Sequence, residues 1–355
     1  MDLLEAVACL ARDRRLADCD LSSVDFSRLP MDQRDFSGCN FERVKLHQAS
    51  LAGCQLQGSV WQNCDLGQAN LAGADLSRCE MHSVDLQRSA LSGVVAPNVS
   101  WHHVNLTAAQ AAGIDFSGGF FSQCDFTAVN LTGAVLIKVD LHDCKLVATD
   151  LSNADASRLT AIGLDLSSTK FAHTRLVQAY LKQCILAAQF LADSNLTMAN
   201  FDYADLAGVQ LDGATLDRVS LVGAQLRGAH LAGVRAYGVA LHGAIVSGAD
   251  LSGAQCEMVD ASHASLQGVR AKNARFTLCV FKKTAAQAGQ FAGAQFLDCD
   301  LSHADVSDAD LSQADLAGSN LHGLVQIGTN WSGALRAKAR PTDEALAAAE
   351  RWRPA

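Results

Sequence analysis

The cysteines and histidines are the residues of this sequence that could carry out metal or redox chemistry. The 355 residues include 12 Cys and 11 His. Thiols form disulfides or bind metals, and imidazoles bind metals or transfer protons. No four of these residues have the spacing of a zinc site. Their interpretation therefore depends on the elements that hold them.

No enzyme motif accompanies these residues. The sequence has no phosphate-binding glycine loop, no nucleophile elbow, no paired His-Glu metal motif and no dinucleotide fingerprint. The net charge of −9 argues against binding to nucleic acid phosphates. No segment approaches the roughly 18 to 20 apolar residues of a membrane helix, and the N-terminus lacks a secretory signal. We expect a non-enzymatic, cytoplasmic protein with no cofactor, no metal, no membrane contact and no nucleic acid ligand.

One five-residue repeat organises almost the whole chain. Every fifth residue from Leu21 to Trp331 is a large site, and the register never slips. The residue two places earlier is small, as in Ala69 and Ala74, and the residue between is often Asp or Asn, as in Asp75. Nearly all large sites hold Leu, Phe, Met, Val, Trp or Cys; the exceptions are Ala96, Ala111, Ala156, Ala161, Ala236, Ala261, Ala271, Ala286 and Gln326.

This period matches neither an α-helix nor a β-strand, because five residues per repeat means about 72° per residue. A chain that turns by about 90° at each pentapeptide instead closes a square coil every 20 residues, with the large and small columns inside. Asp, Asn, Ser and Gly suit the corners, where side chains bond nearby backbone and Gly tolerates positive φ. The pattern predicts an all-β solenoid of about 16 coils, stabilised by stacking of neighbouring coils.

The repeat resembles the pentapeptide-repeat family over residues 19–333. The resemblance implies a right-handed quadrilateral β-helix with short terminal helices. Residues 1–18 are then an N-terminal capping helix, and residues 334–355 are a C-terminal helix or tail capped by Thr342 or Asp343. Several family members dimerise through their C-terminal ends. Leu346 and Trp352 are therefore predicted either to anchor a simple cap or to form a homodimer contact.

The repeat also assigns the cysteines and histidines to positions. Ten cysteines occupy the small inward column, Cys256 occupies the large column, and Cys9 lies outside the frame. We interpret the inward thiols as small, reduced core residues. Within one outward column of histidines, only His82 and His102 lie in adjacent coils, and His103 lies next to His102; we interpret these three as surface residues. One outward column holds five histidines: His82, His102, His142, His242 and His322.

Three groups of outward residues are candidate surfaces. Apolar side chains in the slot that prefers Asp or Asn are candidate partner contacts, with local packing as the alternative: Phe120, Tyr180, Ile185 and Phe190. A basic run without an acid is a second candidate: Arg270, Lys272, Arg275, Lys282 and Lys283. The third group is one acidic column: Asp25, Asp65, Asp85, Asp125, Asp165 and Asp205. For both charged groups, a solvated face is the alternative.

Two functions fit a long outer surface without a pocket. The first is a rigid scaffold or adaptor for a protein partner, as the resemblance implies for many bacterial members, including ones that accompany contractile secretion systems. The second, which the resemblance also implies, is a DNA mimic that binds DNA gyrase or topoisomerase IV and protects against their inhibitors. The length of the chain, the absence of loop insertions and the basic run from Arg270 to Lys283 favour the adaptor.

Overall fold

The computed structural model describes Glu5 and residues 15–352. The chain divides into two compact units, Met1–Tyr180 and Leu181–Ala355. Each unit is a parallel β-solenoid, and together they contain about 14 turns, which confirms the predicted fold class. Most of the predicted N-terminal helix falls on residues 1–4 and 6–14, outside the described residues. Among the residues that are described, no helix is long and apolar enough to cross a bilayer.

The first unit contains eight short strands that form one parallel sheet in sequence order. Neighbouring strands pair residues twenty apart, so that Trp61 lies between Phe41 and Met81. Isolated bridges such as Asp65 to Asp85 join the other sides of the coils with the same interval. The strands are β1 (Asp20–Ser22), β2 (Asn40–Glu42), β3 (Val60–Gln62), β4 (Glu80–His82), β5 (Ser100–His102), β6 (Phe120–Ser122), β7 (Asp140–His142) and β8 (Thr160–Ala161).

The second unit contains a four-stranded parallel sheet and one helix. The bridged coils extend to Arg340, which pairs with Asn320. The helix α1 spans Glu344–Arg351 and begins at the predicted cap Asp343, whose side chain accepts the N–H groups of Ala345 and Leu346. The strands are β9 (Arg235–Tyr237), β10 (Gln255–Glu257), β11 (Arg275–Thr277) and β12 (Gln295–Leu297).

A hydrogen-bonded turn in most repeats produces the corners. The N–H of Ala69 donates to the carbonyl of Leu66 at 3.0 Å, and five residues later the N–H of Ala74 donates to the carbonyl of Leu71 at 2.9 Å. The third residue of the turn has positive φ, as at Gly73 (+67°). Gly reaches this conformation without steric cost. The three-residue step from a large residue to the next small residue is therefore the span of one turn.

The two inward columns form the core, as the sequence predicts. Leu66 and Ala69 are fully buried, and so are the larger rings of Trp61 and Trp101. Parallel coils stack these side chains on their equivalents in neighbouring coils, and the rings of Phe41 and Trp61 stack with centroids 3.7 Å apart. The narrow core is thus filled mainly by aliphatic side chains with a few aromatic layers.

The inward thiols have a second role besides packing. Cys79 Sγ donates to the carbonyl of Leu56 at 2.8 Å, and Cys54 Sγ donates to the carbonyl of Met31 at 3.0 Å. Thr149 makes the same bond to the residue 23 places earlier, at 2.8 Å. Burial raises the pKa of Cys54 and of Cys79 to about 11. The thiols therefore act as neutral donors to the main chain of the preceding coil.

Candidate interaction surfaces

The acidic column belongs to the corner turns. Asp25 Oδ1 accepts the N–H of Ser27 at 2.9 Å, and the bond restrains the turn as an Asx motif does. The hydrogen bonds from Ser27 lower the pKa of Asp25. The same bond to the N–H two residues later is made by the rest of the column: Asp65, Asp85, Asp125, Asp165 and Asp205. The hydrogen bonds of the corner turns thus account for the presence of these carboxylates, without a binding partner.

Several acids are also paired with a base in the neighbouring coil. Lys145 Nζ lies 3.6 Å from Asp125 Oδ2, and Arg270 Nη2 lies 3.1 Å from Asp250 Oδ2. Partial burial opposes ionisation of Asp250, but hydrogen bonds from Ser252 and Arg270 outweigh it and lower the pKa. The twenty-residue interval therefore brings opposite charges together and divides the acidic surface into short segments.

Among the predicted apolar contacts, Phe120 is packed locally. It is half-buried in β6. Its ring centroid lies 5.5 Å from the ring of His102 and 5.5 Å from the ring of His142. Phe120 and Tyr180 share one ladder, which runs through Asp140 and Thr160, as the interval of sixty residues predicts. The imidazoles on either side of Phe120 supply the local packing that was the alternative to a partner contact.

The other three apolar candidates have solvent-exposed side chains. Tyr180 belongs to the first unit and is 37% exposed. Ile185 and Phe190 belong to the second unit, where they bridge to Asp205 and Gln210 and are 41% and 50% exposed. The three residues are divided between the two units, and their role as partner contacts stays a prediction.

The basic residues lie on three different sides of the coil. Arg270 belongs to the bridge ladder of Asp250, and Arg275 begins strand β11. Lys282 and Lys283 are exposed and follow the ladder of Val280. Lys272, also exposed, comes two residues after Arg270. The five bases therefore do not form one patch, although Arg275 lies on the face described next.

The outer face of β9–β12 is an exposed surface that the repeat does not require. Tyr237, Met258 and Leu278 are 40%, 52% and 52% exposed. Met258 and Leu278 are twenty residues apart and hold equivalent positions in neighbouring coils, where their N–H groups donate to the carbonyls of Thr277 and Leu297. Beside them, a shallow groove is lined by charged residues of both signs: Asp217, Arg235, Glu257 and Arg275. We call these seven residues the β9–β12 face.

Met258 and Leu278 occupy costly positions. Both have positive φ, at +54° and +55°. For residues other than Gly this left-handed backbone costs roughly 1–2 kcal/mol, with Asn and Asp less affected. Exposure of two adjacent large apolar side chains is a second unfavourable feature. Neither residue occupies the Asp/Asn slot of the predicted apolar contacts; their signal in the sequence is a large apolar residue in the Gly slot.

A cluster of His303, His322 and Glu350 joins α1 to the preceding coils. His303 Nε2 lies 3.2 Å from Glu350 Oε1, and His322 Nε2 lies 3.2 Å from Glu350 Oε2. The N–H of Asp343 donates to His322 Nδ1 at 3.2 Å. A neutral imidazole that accepts at Nδ1 carries its proton at Nε2, and so His322 donates to Glu350. The repeat did not predict this cluster.

The same cluster is the only group of three metal-ligating side chains among the described residues whose ligand atoms all lie within 4.8 Å. A metal at His322 Nε2 would require a proton at Nδ1, where the N–H of Asp343 already points. The arrangement therefore fits a carboxylate between two imidazole donors better than a metal. The rings of His82 and His103, from the predicted trio, lie 5.4 Å apart as an edge contact.

The apolar residues of α1 are exposed. Leu346 and Trp352 are 48% and 72% exposed, and α1 buries none of its residues. Polar contacts hold the helix instead, namely those of Glu350 and the bond from Gly323 N–H to Thr342 Oγ1 at 3.3 Å. The predicted anchoring through Leu346 and Trp352 is thus replaced by hydrogen bonds, while their role in a homodimer stays a prediction.

Comparisons with known proteins place the chain in a family. The sequence profile described as Pentapeptide repeats matches in eight copies between residues 32 and 324. Among solved structures, HetL from Nostoc sp. strain PCC 7120 is 22% identical, with 63% of this chain and 96% of that chain covered and a TM-score of 0.28. QnrB1, a plasmid-mediated fluoroquinolone resistance protein, is 17% identical, with 58% and 91% covered and a TM-score of 0.27. No curated protein matches the sequence. Because the profile covers most of its residues, the chain belongs to the pentapeptide repeat family.

Proposed function

We propose that this protein is a non-enzymatic, cytoplasmic adaptor that binds a protein partner through the β9–β12 face. The observation that carries the proposal is the pair Met258 and Leu278, which expose large apolar side chains from left-handed corners. Most corners of the second unit hold Gly or a polar residue instead. Each of these residues lowers stability through its left-handed backbone and through its exposed apolar side chain. Such a cost is expected where the side chain is needed for binding.

The composition of the face defines the partner's chemistry. Tyr237, Met258 and Leu278 supply an apolar strip, and aromatic and Met side chains are enriched in protein interfaces. Arg235 and Arg275 lie on the same sheet, with Gln255 between them in the register. We expect an apolar anchor in the partner, flanked by carboxylates that pair with the two arginines.

The test is affinity capture from the source cells with the wild-type protein and the Leu278→Asn variant. Asn tolerates the left-handed backbone and removes the apolar side chain. The variant should lose the captured partner while its melting temperature stays equal or rises. A partner that is retained by the variant would place the binding site elsewhere.

Gln313→Asn is the matched control. Gln313 is exposed and has φ +57° in the same unit, so the substitution makes the same backbone change outside the face. This variant should keep the partner. Loss of the partner in both variants would show that the corners, and not the apolar side chains, determine binding.

The DNA-mimic alternative needs a continuous acidic surface. The corner carboxylates bond their own turns, and pairs such as Lys145–Asp125 and Arg270–Asp250 interrupt the acidic ladders. These observations favour the adaptor. A supercoiling assay with DNA gyrase discriminates between the two: the adaptor predicts no effect of the purified protein, and inhibition or protection of gyrase would support the mimic.

A further inference from the structure

Small residues are concentrated in the large inward column of the second unit. Between residues 236 and 286, this column contains five of them: Ala236, Cys256, Ala261, Ala271 and Ala286. Each replaces the Leu or Phe that the repeat places at such sites. Each replacement removes several side-chain atoms from the core.

The backbone cannot contract to fill that space. Strand β10 pairs with β9 and β11 in strict register, and the bridge from Ala240 to Asp260 fixes the next side of the coil. This register keeps twenty residues in each coil, so that the length of a side does not follow the volume of its inward side chains. In a solenoid with a fixed perimeter, small inward residues leave an unfilled space.

The structure contains this space as a cavity of about 50 Å³. Ala236, Cys256 and Ala261 lie in its wall, together with Leu, Val and Phe side chains from Leu216 to Phe291. The wall draws on about four successive coils, and neighbouring coils rise by about 4.8 Å. The wall of the cavity thus extends along the coil axis over several coils.

The cavity offers water too few hydrogen-bond partners to bind it. One water needs about 10–15 Å³ and two to four polar partners. The volume is sufficient for water, but the wall consists of aliphatic and aromatic side chains and one thiol. Burial raises the pKa of Cys256 to about 12, so that the thiol carries no charge. Apolar cavities of this kind stay dry and take up apolar molecules.

We propose that the core of the second unit is a binding site for a small, unbranched apolar molecule, such as a short hydrocarbon. A wall that extends over several coils favours a linear molecule over a ring. Binding replaces the missing side-chain atoms and restores the dispersion contacts that the small residues give up. The site lies inside the coils, whereas the β9–β12 face lies on their surface; Ala236 and Cys256 line both the cavity and the surface groove.

Xenon is the first test, used on crystals of the full chain under pressure. Xenon should occupy the cavity between Ala236 and Ala261 in the wild-type protein. It should be absent from the Ala261→Leu variant, in which the added side chain fills the space. Absence of xenon from the wild-type cavity would overturn the proposal, and so would xenon that persists in the variant.

Thermal stability gives a second readout with a matched control. Ala261→Leu should raise the melting temperature because it fills a void. Ala111→Leu in the first unit makes the same chemical change at a fully buried site of the same inward column, and should lower the melting temperature by overpacking. A fall in both variants would show that no void exists at Ala261.

Methyl NMR with n-pentane and benzene tests the preference for a linear molecule. Methyl signals of Leu and Val in the cavity wall, such as those of Leu241 and Val259, should shift with n-pentane and less with benzene. Neither ligand should shift them in Ala261→Leu. Equal or larger shifts with benzene would contradict the linear preference, and no shift with either would contradict the site.

Discussion

Trp61 donates from its indole Nε1 to Ser59 Oγ at 2.7 Å, inside a core that is otherwise almost entirely apolar. The hydroxyl of Ser59 in turn donates to the main-chain carbonyl of Leu56, so that Ser59 links the indole to the main chain. Trp101 occupies the same inward column two coils later, but its Nε1 is buried without a partner in the described structure. The residue in the position of Ser59 is there Val99, which has no acceptor.

This difference predicts the effect of Val99→Ser. The new hydroxyl should accept the indole N–H of Trp101, so that Val99→Ser is more stable than Val99→Ala by about 1 kcal/mol. Conversely, Ser59→Ala should cost about 1–3 kcal/mol, because it leaves the Trp61 indole unsatisfied. Denaturant unfolding of the three variants checks both effects. Equal stability of the two Val99 variants would show that no hydrogen bond forms.

A second prediction concerns the C-terminal end of the frame. Arg336 occupies the next large inward site after Trp331, and its guanidinium lies 4.6 Å from the Trp331 ring centroid. The charge covers the last large apolar side chain of the column and opposes end-to-end association. Arg336→Leu should therefore increase self-association, as measured by sedimentation velocity. An unchanged sedimentation coefficient over a wide concentration range would contradict this role.

The homodimer predicted for the C-terminal end is tested through Leu346 and Trp352. Both are exposed on or beside α1 and are available for a second copy. If the wild-type protein is dimeric, the double substitution Leu346→Ser and Trp352→Ser should produce a monomer with an unchanged melting profile at the coils. A dimer that survives the double substitution would place the contact elsewhere.

Docking of α1 should depend on pH through Glu350. The hydrogen bond from His322 lowers the pKa of Glu350 below its ordinary value of 4.5, an effect that outweighs desolvation, and His303 contributes further. A lowered carboxyl pKa stabilises the docked state above the unfolded pKa, and that stabilisation is lost as the pH falls through the folded value. The window of undocking therefore lies below about pH 4.5.

Imidazole NMR signals of His303 and His322 follow this docking. Glu350→Gln should shift both signals at neutral pH, because the charged acceptor is lost. Glu344→Gln is the matched control, since Glu344 belongs to the same helix but lies at its opposite end. If the two variants behave alike, Glu350 does not hold the helix. Zinc should leave the melting temperature unchanged in this account, and a large rise would indicate a metal site.

The core thiols should be unreactive in the native state. Ten of the described cysteines are buried, and Cys19 is partly exposed. Burial raises the pKa of Cys39 to about 12, which removes the reactive thiolate at neutral pH. Titration with a thiol reagent at pH 8 should be slow until the protein unfolds. Rapid modification of several core thiols would show that the coils open readily.

The repeat predicted the coil and its core because the signal is local and occurs many times. Each turn involves neighbouring residues, as in the bond from Ala69 to Leu66. An inward Leu has an equivalent position on every side of the coil. The same uniformity hides which side forms regular strands. The strands of the first unit begin at positions such as Asp20 and Asn40, and those of the second begin at Arg235 and Gln255. The repeat does not predict that the strands lie on different sides of the coil in the two units.

The candidate surfaces were less predictable for a different reason. The acidic column looked like a charged surface in the sequence, but Asp25 and its equivalents bond their own turns. The docking of α1 depends on Glu350 meeting histidines 28 and 47 residues earlier, and no pattern encodes that distance. Met258 and Leu278 depart from the repeat in the Gly slot and not in the Asp/Asn slot of the predicted apolar contacts.

Photo-crosslinking at position 278 tests the central claim most directly. Benzoylphenylalanine placed at Leu278, in cells of the source organism, should give one adduct of defined mass after irradiation. The same group at Gln313, an exposed corner outside the β9–β12 face, should give no such adduct. No adduct from position 278, or the same adduct from both positions, would contradict a partner site on the β9–β12 face.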